Sequence, residues 1–136
     1  MTVFVLDASI VLAAVLPEAN SSTAQTLLAR VIDEGAVVPM HWPLEVANAL
    51  LIAERRRSIS AGDHKHLLSR LAALPIVTDV ETAPRAWRVT VEHAVGHGLT
   101  LYDAAYLELS LRRGLPLATF DPALRRAAAA AGVALL

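Results

Sequence analysis

Three observations predict an α/β fold with a mostly parallel sheet. Short β-branched or apolar runs alternate with helix-periodic stretches along the whole chain. The first run, residues 3–6, is continuously apolar, as a strand buried on both faces must be. Gly, Pro, Ser and Asp mark short junctions, with no repeat, linker or low-complexity tract beyond the alanines of 127–131.

Residues 3–6 are a strand, and 8–16 a helix stopped by Pro17. Asn20, Ser21 and Ser22 offer caps for a helix to about Glu34, with Gly35 as its stop. Residues 36–39 form a second strand. Pro43 suits the first turn of a helix reaching about Arg57. Ser60 and Asp63 have the form of a capping box for the next helix, which ends before Pro75. Residues 76–78 are a short strand. Residues 81–95 are helical in pattern, with Pro84 in the first turn and Gly96 and Gly98 closing it. Thr100 and Asp103 open a helix that ends near Gly114, and residues 117–120 form a strand. Asp121 and Pro122 begin the last helix, Gly132 stops it, and residues 133–136 are a final strand.

The length, 136 residues, fits a single domain over residues 1–136. With 55% hydrophobic residues the chain is too apolar for disorder. The absence of cysteine excludes a disulfide scaffold, thiol catalysis and a zinc–thiolate site. A net charge of -1 excludes a generally basic nucleic-acid coat, so any contact with nucleic acid must be local. The uncharged run 8–17 is shorter than the roughly 20 residues a bilayer needs. No membrane association is expected, and the cytoplasm is the expected location.

Asp7 and Asp121 directly follow strands, and Glu45 and Asp103 lie in the first turns of helices. All four map to the carboxyl edge of the sheet, where sites in such folds form. Each has a simpler role available as a helix cap or dipole partner. Convergence is harder to explain that way. Two carboxylates about 5 Å apart at an effective dielectric near 20 repel by roughly 3 kcal/mol. A cluster therefore takes up protons or holds a cation, and oxygen-only donors suit Mg²⁺ or Mn²⁺. Ser9, Asn48 and Thr119 lie two or three residues from these acids and are placed to orient carboxylates or water.

The segments Val5-Leu6-Asp7-Ala8-Ser9, Pro43-Leu44-Glu45-Val46-Ala47-Asn48-Ala49-Leu50, Leu99-Thr100-Leu101-Tyr102-Asp103-Ala104-Ala105-Tyr106-Leu107 and Leu117-Ala118-Thr119-Phe120-Asp121-Pro122-Ala123-Leu124 carry a resemblance. In this order they resemble the PIN-domain ribonucleases, and within them the VapC-type toxins of toxin–antitoxin pairs. The resemblance implies a three-layer fold with a central five-stranded parallel sheet flanked by helices. It implies an acidic pocket for Mg²⁺ or Mn²⁺, hydrolysis of RNA phosphodiester bonds, a homodimer, and inhibition by a VapB-like antitoxin. Asp7, Glu45, Asp103 and Asp121 fall on the acidic positions, and Ser9, Asn48 and Thr119 on the supporting ones. Asp7, Asp103 and Asp121 are expected to hold the principal ion, some through water. Glu45 is expected to orient or deprotonate the attacking water, or to help hold a second ion. Phe120 is bulkier than the polar residue expected beside Asp121.

Two other functions compete. A PIN-like module that binds RNA or protein without catalysis would have no use for all four acids. A phospho-accepting receiver needs paired acids after its first strand and a lysine after its last. Here Ala8 follows Asp7, and the only lysine, Lys65, falls on a helix. Arg55, Arg56, Arg57, Arg112 and Arg113 end helices, where cations complement the dipole. His93 and His97 have a zinc-like spacing but no third ligand, and read as an exposed helix end.

Overall fold

The computed structural model describes residues 3–136, and among these it forms a parallel sheet flanked by helices. β1 (Phe4–Leu6) is wholly buried and leads into α1 (Ala8–Val15). Ser21 caps α2 (Ser22–Glu34) by accepting the Ala24 N–H, and Gly35 ends it. Gly35 has φ +76, and a Cβ there would come within 3.3 Å of the Pro75 carbonyl oxygen. That close approach lets Ala36 open β2 (Ala36–Val38) beside the next strand. α3 (Trp42–Arg55) carries Pro43 in its first turn. The Ser60–Asp63 capping box is complete and starts α4 (Ala61–Ala72). β3 (Ile76–Thr78), α7 (Leu101–Arg113), β4 (Leu117–Ala118) and α8 (Pro122–Ala131) follow within a few residues of expectation.

The strand order is β3-β2-β1-β4, all neighbours parallel, with Phe4 opposite Ala36 and Val5 opposite Leu117. The described sheet therefore has four strands, not the five expected. Residues 133–136 contribute only an isolated parallel bridge, Leu117 to Leu135. Both of its hydrogen bonds converge on Leu117, from its N–H to Ala134 and to its carbonyl from Leu136. The Pro116 and Ala118 carbonyls face β1, accepting from Val5 and Asp7, so β4 turns only Leu117 toward this segment, and the Thr119 carbonyl is taken by Arg125.

The helix expected over 81–95 is two helices, α5 (Thr82–Arg85) and α6 (Val89–His97). Beyond Pro84 the bonds tighten to a three-residue span, Ala86 to Ala83 and Arg88 to Arg85. Arg88 then leaves the helical region at φ −129, ψ −81, which resets the axis. His93 and His97 stack at 6.3 Å on the last turns of α6.

One apolar cluster joins the sheet to helices on both sides, through Phe4, Leu6, Ile10, Val31, Leu50, Tyr106 and Leu124 among others. A second tie is ionic. Arg112, near the end of α7, donates through Nε to Glu108 Oε1 at 2.7 Å and through Nη2 to Asp79 Oδ2, just past β3. Its Nη1 lies 3.4 Å from Glu81, and Arg85 lies 3.6 Å from Glu108. Arg112 is thus the hub of an ion-pair network and not a solvated helix end. Among the described residues no helix is long and apolar enough to cross a membrane.

Candidate metal centre

Asp7 stands at the carboxyl end of β1 and is only 5% exposed. It occupies the N-cap position of α1 but makes no capping bond. Its Oδ2 accepts instead from the Ser9 hydroxyl and from the Thr119 hydroxyl, each at 2.7 Å. Both hydroxyls accept in turn from backbone: Phe120 N–H donates to Ser9 Oγ, joining the two segments, and Asp121 N–H donates locally to Thr119 Oγ1, each at 3.0 Å. Arg125 Nη1 donates to the Thr119 carbonyl at 2.8 Å. The β1 end and the β4–α8 junction are therefore locked together around one carboxylate. Thr119 lies just past β4 rather than inside a strand, yet its side chain still faces Asp7.

Asp121 caps α8, its Oδ2 accepting the Leu124 N–H at 2.8 Å. Asp103 lies in the first turn of α7, where the Thr100 hydroxyl accepts its N–H at 3.1 Å. The reciprocal side-chain bond of a capping box is present at Ser60 and Asp63 but not at Thr100 and Asp103, so the Asp103 carboxylate is not spent on capping. Glu45, in the first turn of α3, accepts from the Tyr106 hydroxyl at 2.6 Å, and His41 Nε2 lies 3.3 Å from the same oxygen.

The electrostatics show that these acids share a field. Burial, then the charges of Asp121, Asp7 and Glu45, push the Asp103 carboxyl up to about 6, against the opposing pull of Thr100. Burial and the charge of Asp7 raise Glu45, while the Tyr106 hydroxyl opposes the rise. Burial and the charges of Asp7 and Glu45 raise the Tyr106 phenol, so it stays a donor. Burial lowers His41 despite the Tyr102 carbonyl, Asp103 and Asp7.

Hydrogen bonds thus join Asp7, Ser9, Thr119 and Asp121, and mutual charge adds Asp103 and Glu45. Asn48 lies one turn beyond Glu45, is exposed, and makes no hydrogen bond to the others among the described residues. Two neighbours went unassigned by sequence reasoning. Tyr106 is three residues after Asp103 and His41 four before Glu45, helical spacings that place each near its acid. What no spacing shows is that Tyr106 bonds to Glu45, 61 residues away in the chain.

Among the described residues, no three His, Asp or Glu side chains stand close enough together to ligate one ion directly. The donor set nevertheless fits a hard divalent cation. It is all carboxylate, it sits at the carboxyl edge, and burial together with its own repulsion drives Asp103 toward protonation unless positive charge is supplied.

The chain is similar to solved structures across nearly its whole length. It covers 93% of itself and 79% of PAE2754 from Pyrobaculum aerophilum, at 24% identity and TM-score 0.67. For FitAcB from Neisseria gonorrhoeae the shares are 98% and 96%, with 17% identity and TM-score 0.66. For VapC20 from Mycobacterium tuberculosis, a sarcin–ricin-loop-cleaving toxin, they are 91% and 94%, with 16% identity and TM-score 0.59. These identities establish likeness of fold. No curated protein matches the sequence significantly. The PIN domain family matches residues 4–130, nearly the entire chain, and the chain belongs to that family.

Proposed function

We propose that this chain is a single-domain, Mg²⁺- or Mn²⁺-dependent ribonuclease, the toxin of a VapC-type toxin–antitoxin pair. The observation that carries the reading is the cluster itself: carboxylates from four separate segments share one field at the carboxyl edge. Membership of the PIN family and likeness to an RNA-cleaving toxin support the chemistry. A divalent ion there would polarise the phosphoryl oxygen and lower the pKa of a bound water. Asp7 is held in one orientation by Ser9 and Thr119, leaving Oδ1 for the ion. Asp103 and Asp121 would complete the ligand set. Glu45, its carboxylate fixed by Tyr106, would orient the attacking water and take its proton.

The proposed partner is a VapB-like antitoxin, in keeping with the chain's likeness to a VapC toxin. A homodimer in the cytoplasm completes the proposal.

Purified protein should cleave RNA with Mn²⁺ or Mg²⁺ and stop on addition of chelator; cleavage that survives chelator overturns the reading. Failure to bind Mn²⁺ at all would favour the binding module without catalysis. Below about pH 6 an entering ion must displace the Asp103 proton. Calorimetric Mn²⁺ affinity should therefore fall as pH drops from 7.5 to 5; an unchanged affinity would remove Asp103 from the ligand set.

Tyr106→Phe removes one hydroxyl and keeps the buried ring. It should lower the cleavage rate by about tenfold or more, as loss of a group that orients an active carboxylate does, with Mn²⁺ affinity nearly unchanged. A rate equal to wild type would mean that the 2.6 Å bond only packs Glu45.

A further inference from the structure

The chain has six aromatic side chains, two each of Phe, Trp and Tyr. Phe4, Trp42 and Tyr106 are buried, while Trp87, Tyr102 and Phe120 are exposed. Two of the exposed three directly precede acids of the cluster: Tyr102 before Asp103, at 64% exposure, and Phe120 before Asp121, at 37%. Both are held in place. The Tyr102 ring lies 5.5 Å from the His41 ring, which is itself 5.5 Å from Tyr106, so the ring is backed by protein and still open to solvent. The Phe120 backbone is fixed by its N–H bond to Ser9 Oγ.

The cluster poses a binding problem that these rings answer. Without a cation its carboxylates repel the phosphates of a nucleic acid, and the net charge of -1 supplies no general attraction. Arg125, close to Thr119, is already engaged with that residue's carbonyl. The bases are a further source of affinity, since every base has a face that stacks on an aromatic ring, without sequence preference. A base can reach such a ring only if it is unstacked and unpaired.

We infer that Tyr102 and Phe120 are substrate-binding residues that select unpaired RNA, each stacking one base on either side of the scissile phosphodiester. This rests on the ribonuclease reading above. Neither residue touches the reacting atoms, so truncation should act on binding and not on chemistry.

The test uses the full chain with Mn²⁺ and a single-stranded RNA oligomer. Tyr102→Ala and Phe120→Ala should each raise KM by about tenfold, the loss typical of one stacked base, and leave kcat within about threefold. Tyr102→Phe should restore KM. The slope of log KM against log salt should not change, because stacking releases no counterions. An oligomer lacking one base beside the cleaved bond should lose the same factor, and Tyr102→Ala or Phe120→Ala should then cost nothing further. Intact cleavage with unchanged KM in both alanine variants overturns the inference and leaves the ribonuclease standing. So does a loss confined to kcat. A wild-type chain that cleaves no RNA overturns the ribonuclease reading instead. In that case, 2-aminopurine RNA decides the stacking: quenching that disappears in Tyr102→Ala supports it, and quenching that persists in both alanine variants refutes it.

Discussion

In the Asp7→Asn protein, metal-dependent RNA cleavage should fall by about a hundredfold or more, because even groups that only orient a metal ligand are worth 10–100-fold. The fold should survive. Asn is the same shape, and its amide oxygen can still accept from the Ser9 and Thr119 hydroxyls that hold the native carboxylate. What disappears is the negative charge at the centre of the cluster. That charge is one of those raising Asp103 and Glu45, so both should ionise more readily in the variant. The metal-free variant should accordingly be no less stable than wild type at neutral pH. Cleavage assays on the two proteins purified side by side, with melting curves, check both halves. Full cleavage by Asp7→Asn would show that the activity belongs to a contaminant or to other residues. Lost cleavage with a collapsed melting temperature would show that Asp7 is chiefly structural.

The second large effect lies away from the chemistry. Arg112→Ala should destabilise the chain by about 3–5 kcal/mol, the usual cost of stranding a buried charge by deleting its partner. Asp79 is 8% exposed and Glu108 4%, and Arg112 is the donor they share. Arg85, 3.6 Å from Glu108, relieves one of them in part. For a chain of this size the melting temperature should fall by about 10 °C or more. Lysine restores the charge but not the planar fork that serves several carboxylates at once, so Arg112→Lys should recover only part of the loss.

The pH dependence identifies the cause. Burial alone would raise the Asp79 carboxyl, but the Arg112 bonds and charge, with the Glu81 N–H and Thr82 hydroxyl, bring it below its ordinary 3.8. A carboxyl depressed in the folded state contributes stability above its unfolded pKa and loses it as pH falls through the folded one. In Arg112→Ala the depressing partner is gone, and protonated Asp79 is easier to bury. The gap between wild type and variant should therefore narrow below about pH 4. A gap constant down to pH 3 would point to lost packing of the arginine stem instead.

Local chemistry made much of this molecule legible in its sequence. The continuous run ending at Leu6 and the Ser60–Asp63 box report structure within a few residues of themselves, and both are present as expected. Asp7 and Asp121 could be assigned to the carboxyl edge because each directly follows a strand-like run. The misreadings differ in origin. Residues 81–95 read as one helix, yet the bonds tighten beyond Pro84 and Arg88 leaves the helical region, a local break that the periodicity does not show. The others arise from contacts between distant segments. Residues 133–136 are as apolar as a strand, but pairing depends on the partner, and β4 turns only Leu117 toward them. Arg112 looks like any cation at a helix terminus until β3 brings Asp79 to it. The hydroxyl grip of Tyr106 on Glu45 likewise joins α7 to α3 through the tertiary fold and has no local signature.

The pairing of Val5 with Leu117 has one more consequence. It joins the two ends of the Asp7–Thr119 lock, and few contacts in the molecule close a longer loop. Such contacts carry the greatest loop-closure entropy and form late. A partly folded chain can possess its helices, and even the β1–β2–β3 portion of its sheet, and still hold Asp7 apart from Thr119 and Asp121. The acidic cluster thus acts as a completeness check on folding, since the carboxylates meet only in molecules that have finished. On the ribonuclease reading, a chain caught midway would not yet cleave.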